Sequence, residues 1–203
     1  MLSSVVLLLP VFAAALSAPL TPRQSTVDTC VLQLDAPVTS QIRHSIDTRS
    51  RWTPWRRNVE GEYESIAVNT FTADPNAPAF WVVEPVDTFP GKHKVRLNND
   101  TIRTPLCASG SGSGSNSTVV NFVDCSSDYA LWTITCETCQ SSYGGECQFA
   151  AQYRVDSDKT SPQMCASVPS EQDGDLFIKK CNTFTEPRNY EQLFYFGVSE
   201  AAQ

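Results

Sequence analysis

Histidine is scarce: the 203-residue chain carries two, His44 and His93. Both lie in polar surroundings and are expected at the surface, not as catalytic bases. No H-E-x-x-H occurs, and in the Gly/Ser run at 110–117 serine never falls into a G-x-S-x-G frame. The usual signatures of zinc-protease and serine-hydrolase chemistry are therefore missing. A glycosidase carboxylate pair is a matter of tertiary geometry and leaves no such signature. The expectation is a protein that is not an enzyme. Positive charge is also in deficit, with 15 basic against 22 acidic residues and a net charge of −7. That balance gives no bulk attraction to nucleic acid or to an anionic membrane. Beyond residue 17 no stretch stays apolar for 18 residues, so the chain is expected to be soluble. No segment carries a sustained helical spacing, and no cofactor signature is present.

Cysteine, by contrast, is plentiful. All eight lie after residue 29: Cys30, Cys107, Cys125, Cys136, Cys139, Cys147, Cys165 and Cys181. Residues 1–17 read as a secretory signal. Val5 to Leu16 is apolar apart from Pro10, too short to span a bilayer, and Ala15 and Ser17 are small residues at the positions that matter for cleavage. An even cysteine count behind such a leader reads as a disulfide framework in an extracellular protein. Asn99 and Asn116 head N-x-S/T sequons in polar loops, which fits the same route. Cys136-Glu137-Thr138-Cys139 also has zinc or redox spacing. Zinc needs two more ligands and both histidines are distant; a redox pair needs a helix N-terminus, and this stretch follows a strand. Structural disulfides are the expectation.

A repeat organises the rest. Val95 to Ser109 and Tyr153 to Ser167 align without a gap, with Arg96/Arg154, Asp100/Asp158, Cys107/Cys165, Ala108/Ala166 and Ser109/Ser167 identical. Each copy continues through a polar loop to a strand-like segment ending in cysteine, Val119 to Cys125 and Leu176 to Cys181. Each finishes in an aromatic strand around Trp132 or Phe194, and Phe80-Trp81 looks like the close of a third, degenerate copy. The repeats fall at roughly 24–85, 86–140 and 141–199 after a loose segment at 18–29, within one domain at 30–203. Short strands and frequent Pro and Gly turns predict an all-β barrel or sandwich.

A Φ-R-Φ strand, a Φ-Cys segment, a second cysteine and a closing aromatic strand together resemble the ricin B-type β-trefoil lectins, whose repeats carry a Gln-x-Trp signature. Gln192-Leu193-Phe194 is the nearest match; Ala130-Leu131-Trp132 and Ala79-Phe80-Trp81 keep only the aromatic. The resemblance covers most of 86–199. It implies a disulfide-stabilised β-trefoil of three repeats, with Cys107 joined to Cys125 and Cys165 to Cys181. Loops of that size are stabilised by roughly 3 kcal/mol each on the chain-entropy account. Cys30, Cys136, Cys139 and Cys147 remain, with three pairings open. The family's sugar-binding aspartate falls on Ser109 and Ser167, and its asparagine on Tyr129 and Glu191. A serine hydroxyl is a weaker acceptor than a carboxylate, so the galactose site does not carry over and any sugar site is non-standard.

Residues 43–58 hold five arginines and one aspartate, with two tryptophans. Trp52, Trp55, Arg56 and Arg57 form either a binding loop, stiffened by Pro54, or a cap in which the tryptophans close the barrel. The resulting expectation is a secreted recognition protein for carbohydrate. The alternatives are a trefoil protease inhibitor using the Arg/Trp loop, or an effector with a protein partner.

Overall fold

The computed structural model describes residues 27–47, 49–57, 63–69, 80–98, 104–110, 118–152, 163–168, 174–185 and 190–197. At 55–57, 63–64, 68–69 and 118 only the backbone is described. The leader, both sequon asparagines and most of the Gly/Ser run lie outside these residues.

The described chain is all strand and turn. Its first third contains β1 (Cys30–Val31), β2 (Val38–Ser40), β3 (Arg43–His44), β4 (Arg51–Arg57), β5 (Tyr63–Asn69) and β6 (Trp81–Pro85). The middle contains β7 (Lys92–Leu97), β8 (Leu106–Ser109), β9 (Thr118–Val119), β10 (Asn121–Asp124) and β11 (Leu131–Gln140). The last third contains β12 (Tyr143–Ala151), β13 (Met164–Ser167), β14 (Gly174–Asp175), β15 (Phe177–Lys180) and β16 (Phe194–Phe196). Short 3-10 turns at Asp128–Ala130 and Tyr190–Gln192 precede β11 and β16.

Nine strands close into a barrel, in the order β11, β7, β8, β10, β5, β4, β3, β16, β12 and back to β11. The remaining strands extend its rim. Closure removes the open edges that would otherwise pair with other chains. Alternation sets which side chains enter: in β7 His93, Val95 and Leu97 point inward while Lys92, Lys94 and Arg96 do not. The interior is aromatic. Trp52, fully buried, touches Trp81, Trp132, Phe149 and Phe194 with ring centroids 5.0–6.3 Å apart.

At one point the thirds of the chain meet through their backbones. Ile66 N–H donates to the Val120 carbonyl (2.9 Å), Val120 N–H to Leu176 (2.6 Å), and Leu176 N–H to Ile66 (2.8 Å). All three side chains are fully buried. A second recurrence links the tryptophans to the strand before them: Trp81 Nε1 donates to the Trp52 carbonyl (3.0 Å), and Trp132 Nε1 to Ala108 (2.8 Å). These bonds set Arg51-Trp52-Thr53 in the position that Cys107-Ala108-Ser109 holds later in the chain.

Four disulfides are present: Cys107–Cys125, Cys165–Cys181, Cys136–Cys147 and Cys30–Cys139. The first two are the pairs the family resemblance implies. Cys136 and Cys139 face opposite sides of β11 and so bond to different partners. Four disulfides fit an oxidising, extracellular-type compartment, and among the described residues no helix is long and apolar enough to cross a membrane.

Two expectations are corrected here. The Arg/Trp segment is not a loop: β4 pairs with β3 and β5, and Pro54 sits opposite Ile66. The histidines are not at the surface: His44 and His93 are both buried, because alternation from buried neighbours turns each inward.

Gly197 shows how tightly the barrel end is packed. It has φ +86°, and a Cβ there would lie 2.2 Å from the Ser142 carbonyl oxygen. Any side chain at this position would push β16 off the β11–β12 turn.

Two outcomes follow. Trp52→Ala should lower stability by about 3–5 kcal/mol through the cavity it leaves, measured by urea unfolding under oxidising conditions. Non-reducing peptide mapping should recover the four links above; a peptide joining Cys136 to Cys139 would contradict the fold.

Candidate functional site

Ser109 and Tyr129, far apart in sequence, meet in the structure. Ser109 ends β8, fully buried, and its hydroxyl donates to the Tyr129 carbonyl at 2.8 Å. Tyr129 lies in the 3-10 turn before β11 with its side chain turned outward, 42% exposed. The turn is closed by its own hydrogen bonds. Asp124 Oδ1 accepts from Ser126 N–H (2.7 Å) and the Asp124 carbonyl from Ser127 N–H (2.9 Å). Ser127 Oγ accepts from Tyr129 N–H (3.2 Å), and the Ser127 carbonyl accepts from Ala130 N–H (3.1 Å). Cys125, inside the turn, is bonded to Cys107 on β8. The bonds from Ser126 hold the Asp124 carboxyl below its ordinary pKa. Asp124 and Asp128 on the same turn are exposed, as is Tyr129. The turn thus presents one aromatic ring and two carboxylates on a backbone fixed by a disulfide and five hydrogen bonds.

The end of β13 builds a similar corner with different side chains. Ser167, fully buried at the end of β13, accepts from Gln192 Nε2 at 2.8 Å and donates to the Cys165 carbonyl at 3.2 Å. Gln192 Nε2 also donates to the Lys180 carbonyl (2.9 Å), and its Oε1 accepts from Asn182 N–H (2.8 Å). Val168 N–H donates to the Glu191 carbonyl (2.8 Å). The Glu191 carboxylate, about half exposed, pairs with Lys179 at 3.1 Å; such a surface pair contributes little to stability. Gln192 was visible in the sequence as the best-preserved signature residue. Its work is internal: its amide ties together Ser167, the Lys180 carbonyl and the Asn182 N–H.

The eight candidate ligand residues therefore separate. Ser109 and Ser167 are corrected from ligand contacts to buried supports, since their hydroxyls are used inside the fold and do not reach solvent. Trp52 is corrected from a loop residue to the centre of the core, which is the capping alternative in stronger form. Trp55, Arg56 and Arg57 lie on β4 with undescribed side chains. Tyr129 and Glu191 remain as exposed groups, each held through its carbonyl at an equivalent corner. No protein-family model matches the chain, and a search of curated proteins returns no match. Among the described residues no group of His, Cys, Asp and Glu could hold a metal ion.

The buried histidines have a consequence for pH. His93 is 1% exposed and its Nδ1 has no hydrogen-bond partner among the described residues. Burial, with a smaller contribution from the Lys92 charge, lowers its pKa to about 4. His44 Nε2 donates to the Tyr190 carbonyl (2.9 Å), and the His44 pKa is also lowered, chiefly by burial. A depressed histidine means that the unfolded chain binds the proton first. The His93 contribution is intact above about pH 6.5 and is lost as pH falls toward 4. Stability at pH 4.5 should be lower than at pH 7 by about 2–3 kcal/mol from His93. Urea unfolding of the wild type and His93→Gln at both pH values checks this: the variant's pH difference should be smaller by that amount.

Proposed function

We propose that the chain is a secreted, non-catalytic recognition protein on a ricin B-type β-trefoil scaffold, and that it binds carbohydrate at the Tyr129 turn. The trefoil reading is supported by the three reciprocal backbone bonds among Ile66, Val120 and Leu176, one from each of the repeats at about 24–85, 86–140 and 141–199. It is supported again by the closing aromatics Trp81, Trp132 and Phe194, which converge on Trp52. Reciprocal bonding between equivalent residues is what a three-fold arrangement of repeats produces, and a general sandwich has no reason to contain it.

The ligand class rests on one observation: an exposed tyrosine on a turn that also carries the exposed Asp124 and Asp128 and that cannot rearrange cheaply. An aromatic face suits the apolar side of a sugar ring, and carboxylates accept from its hydroxyls with charge-assisted strength. Because the turn is already ordered, little entropy is lost when ligand binds. Function still has to be argued from this site and not from the fold. The protease-inhibitor reading loses ground, because its candidate segment is a strand paired on both sides. The protein-partner reading has a specific feature in its favour. Phe89, 43% exposed, sits at the tip of the β6–β7 hairpin, which is closed by bonds from Phe89 N–H to Val86 and from Lys92 N–H to Phe89.

A glycan array followed by titration of the best ligand tests the proposal. Tyr129→Ala should weaken binding about tenfold or more, or ~1.4 kcal/mol, with melting temperature unchanged. Ser109→Ala should weaken it less and lower the melting temperature, because it acts through the turn. A blank array with tight binding to one secreted protein, lost in Phe89→Ala, would replace the carbohydrate reading.

A further inference from the structure

The outer wall of the barrel carries a second set of groups that the Tyr129 turn does not use. β12 has an irregularity between Gly144 and Cys147, where its register with β16 shifts. At its centre Glu146 adopts φ +52°, and among the described residues it is the one non-glycine with positive φ. Gly144 faces inward, since a Cβ there would strike the Phe196 ring, and Cys147 faces inward too. Two residues lie between them, so regular alternation cannot serve both. The bulge absorbs the extra residue: Gly145 is buried beneath the Tyr143 ring and Glu146 is left partly exposed. A glycine would adopt this conformation without strain, and two glycines stand directly before it. The chain nevertheless carries a carboxylate there.

That carboxylate is aimed. Tyr195 Oη donates to Glu146 Oε1 at 3.0 Å. Tyr143 lies on the same face, its ring folded over Gly145, where an added Cβ would lie 2.8 Å from the phenol oxygen. Burial and the neighbouring Glu146 charge hold the Tyr143 phenol above its ordinary pKa, so it remains a donor. On the next strand Arg43 stands opposite Tyr195, with its Nε donating to Gln41 Oε1 at 2.9 Å. Tyr143, Glu146, Tyr195 and Arg43 are each partly exposed. Three adjacent strands therefore line up two phenol rings, one carboxylate and one guanidinium on a rigid surface. Local strain at a carboxylate that a glycine could replace is the kind of outlier that points to a function.

We infer that the β12 bulge is a second saccharide-binding site, with Glu146 as the acceptor for sugar hydroxyls, Tyr143 and Tyr195 as ring contacts, and Arg43 as a donor at the far side. The inference rests on the carbohydrate reading above. One negative and one positive group on the row favour a neutral sugar over a uronic acid or an amine. The site does not coincide with a repeat corner: it lies on strands from the first and third repeats.

Titration calorimetry on the full, oxidised chain tests it, with neutral tetrasaccharides of β-linked glucose, N-acetylglucosamine and mannose as probes. Two sites per chain are expected for the ligand that binds. Tyr129→Ala should leave one of them, and Glu146→Gln or Tyr195→Phe should weaken the other about tenfold or more with melting temperature unchanged. Glu146→Gly should abolish that second site and melt no lower than Glu146→Gln, because it relieves the left-handed strain. A single site, lost in Tyr129→Ala and untouched by Glu146→Gln and Tyr195→Phe, overturns this inference and leaves the carbohydrate reading standing. So does a Glu146→Gln variant that melts lower and keeps both sites, since the carboxylate is then a structural anchor. Binding of none of the probes by the wild type overturns both.

Discussion

Everything in this barrel is built around one buried indole. Trp52 holds the middle of the core, and the aromatics that open the closing strands of each third, Trp81, Trp132 and Phe194, pack against it from three directions. Interiors pack at crystal-like density, so a side chain of this size at the convergence point sets how far apart the strands can stand. There is a cost: the Trp52 Nε1 is buried without a hydrogen-bond partner among the described residues, a defect worth about 1–3 kcal/mol. The fold tolerates it because the ring fills the space between Trp81, Trp132 and Phe194.

The disulfides act at the next level. Cys107–Cys125 and Cys165–Cys181 each tie a Cys-Ala-Ser strand to the segment that follows its loop, and they close short loops of 18 and 16 residues. Cys30–Cys139 does something different. It spans 109 residues and fastens the first described strand to the far end of β11. Cys136–Cys147 staples β11 to β12 across a directly paired position. Two links thus hold the corners, while one short cross-strand link and one long-range link hold the barrel wall. This division lets exposed turns be stiff without depending on the large core for every constraint.

Stiffness of the corners is what makes a recognition role physically reasonable. At the end of β8 the serine hydroxyl holds a carbonyl, and the side chain on that carbonyl's residue is tyrosine. At the end of β13 the Val168 N–H holds the matching carbonyl, a glutamine and a serine brace the corner, and the outer side chain is glutamate paired with lysine. One scaffold therefore displays two different chemistries at equivalent places. Buried polar bonds do the positioning, and the exposed residue alone is left to meet a ligand.

Much of the architecture was legible without coordinates. The repeated Arg, Asp and Cys-Ala-Ser positions revealed the recurrence, short strands and frequent turns pointed to an all-β chain, and the even cysteine count implied a disulfide framework. These are local or periodic features, and a chain carries them in its order. The roles of individual polar residues were not legible. Ser109 and Ser167 looked like ligand contacts because their chain position is that of a ligand; they are supports because the partners that consume their hydroxyls come from 20 and 25 residues away. Trp52 beside four arginines could be read as part of a binding loop or as a cap on the barrel, and closure of the barrel put it at the centre. The linear order carries the strand-forming segments and the cysteines able to cross-link. Which polar and aromatic groups are spent inside and which face water follows from the folded chain, because burial and hydrogen bonding depend on neighbours that the linear order does not name.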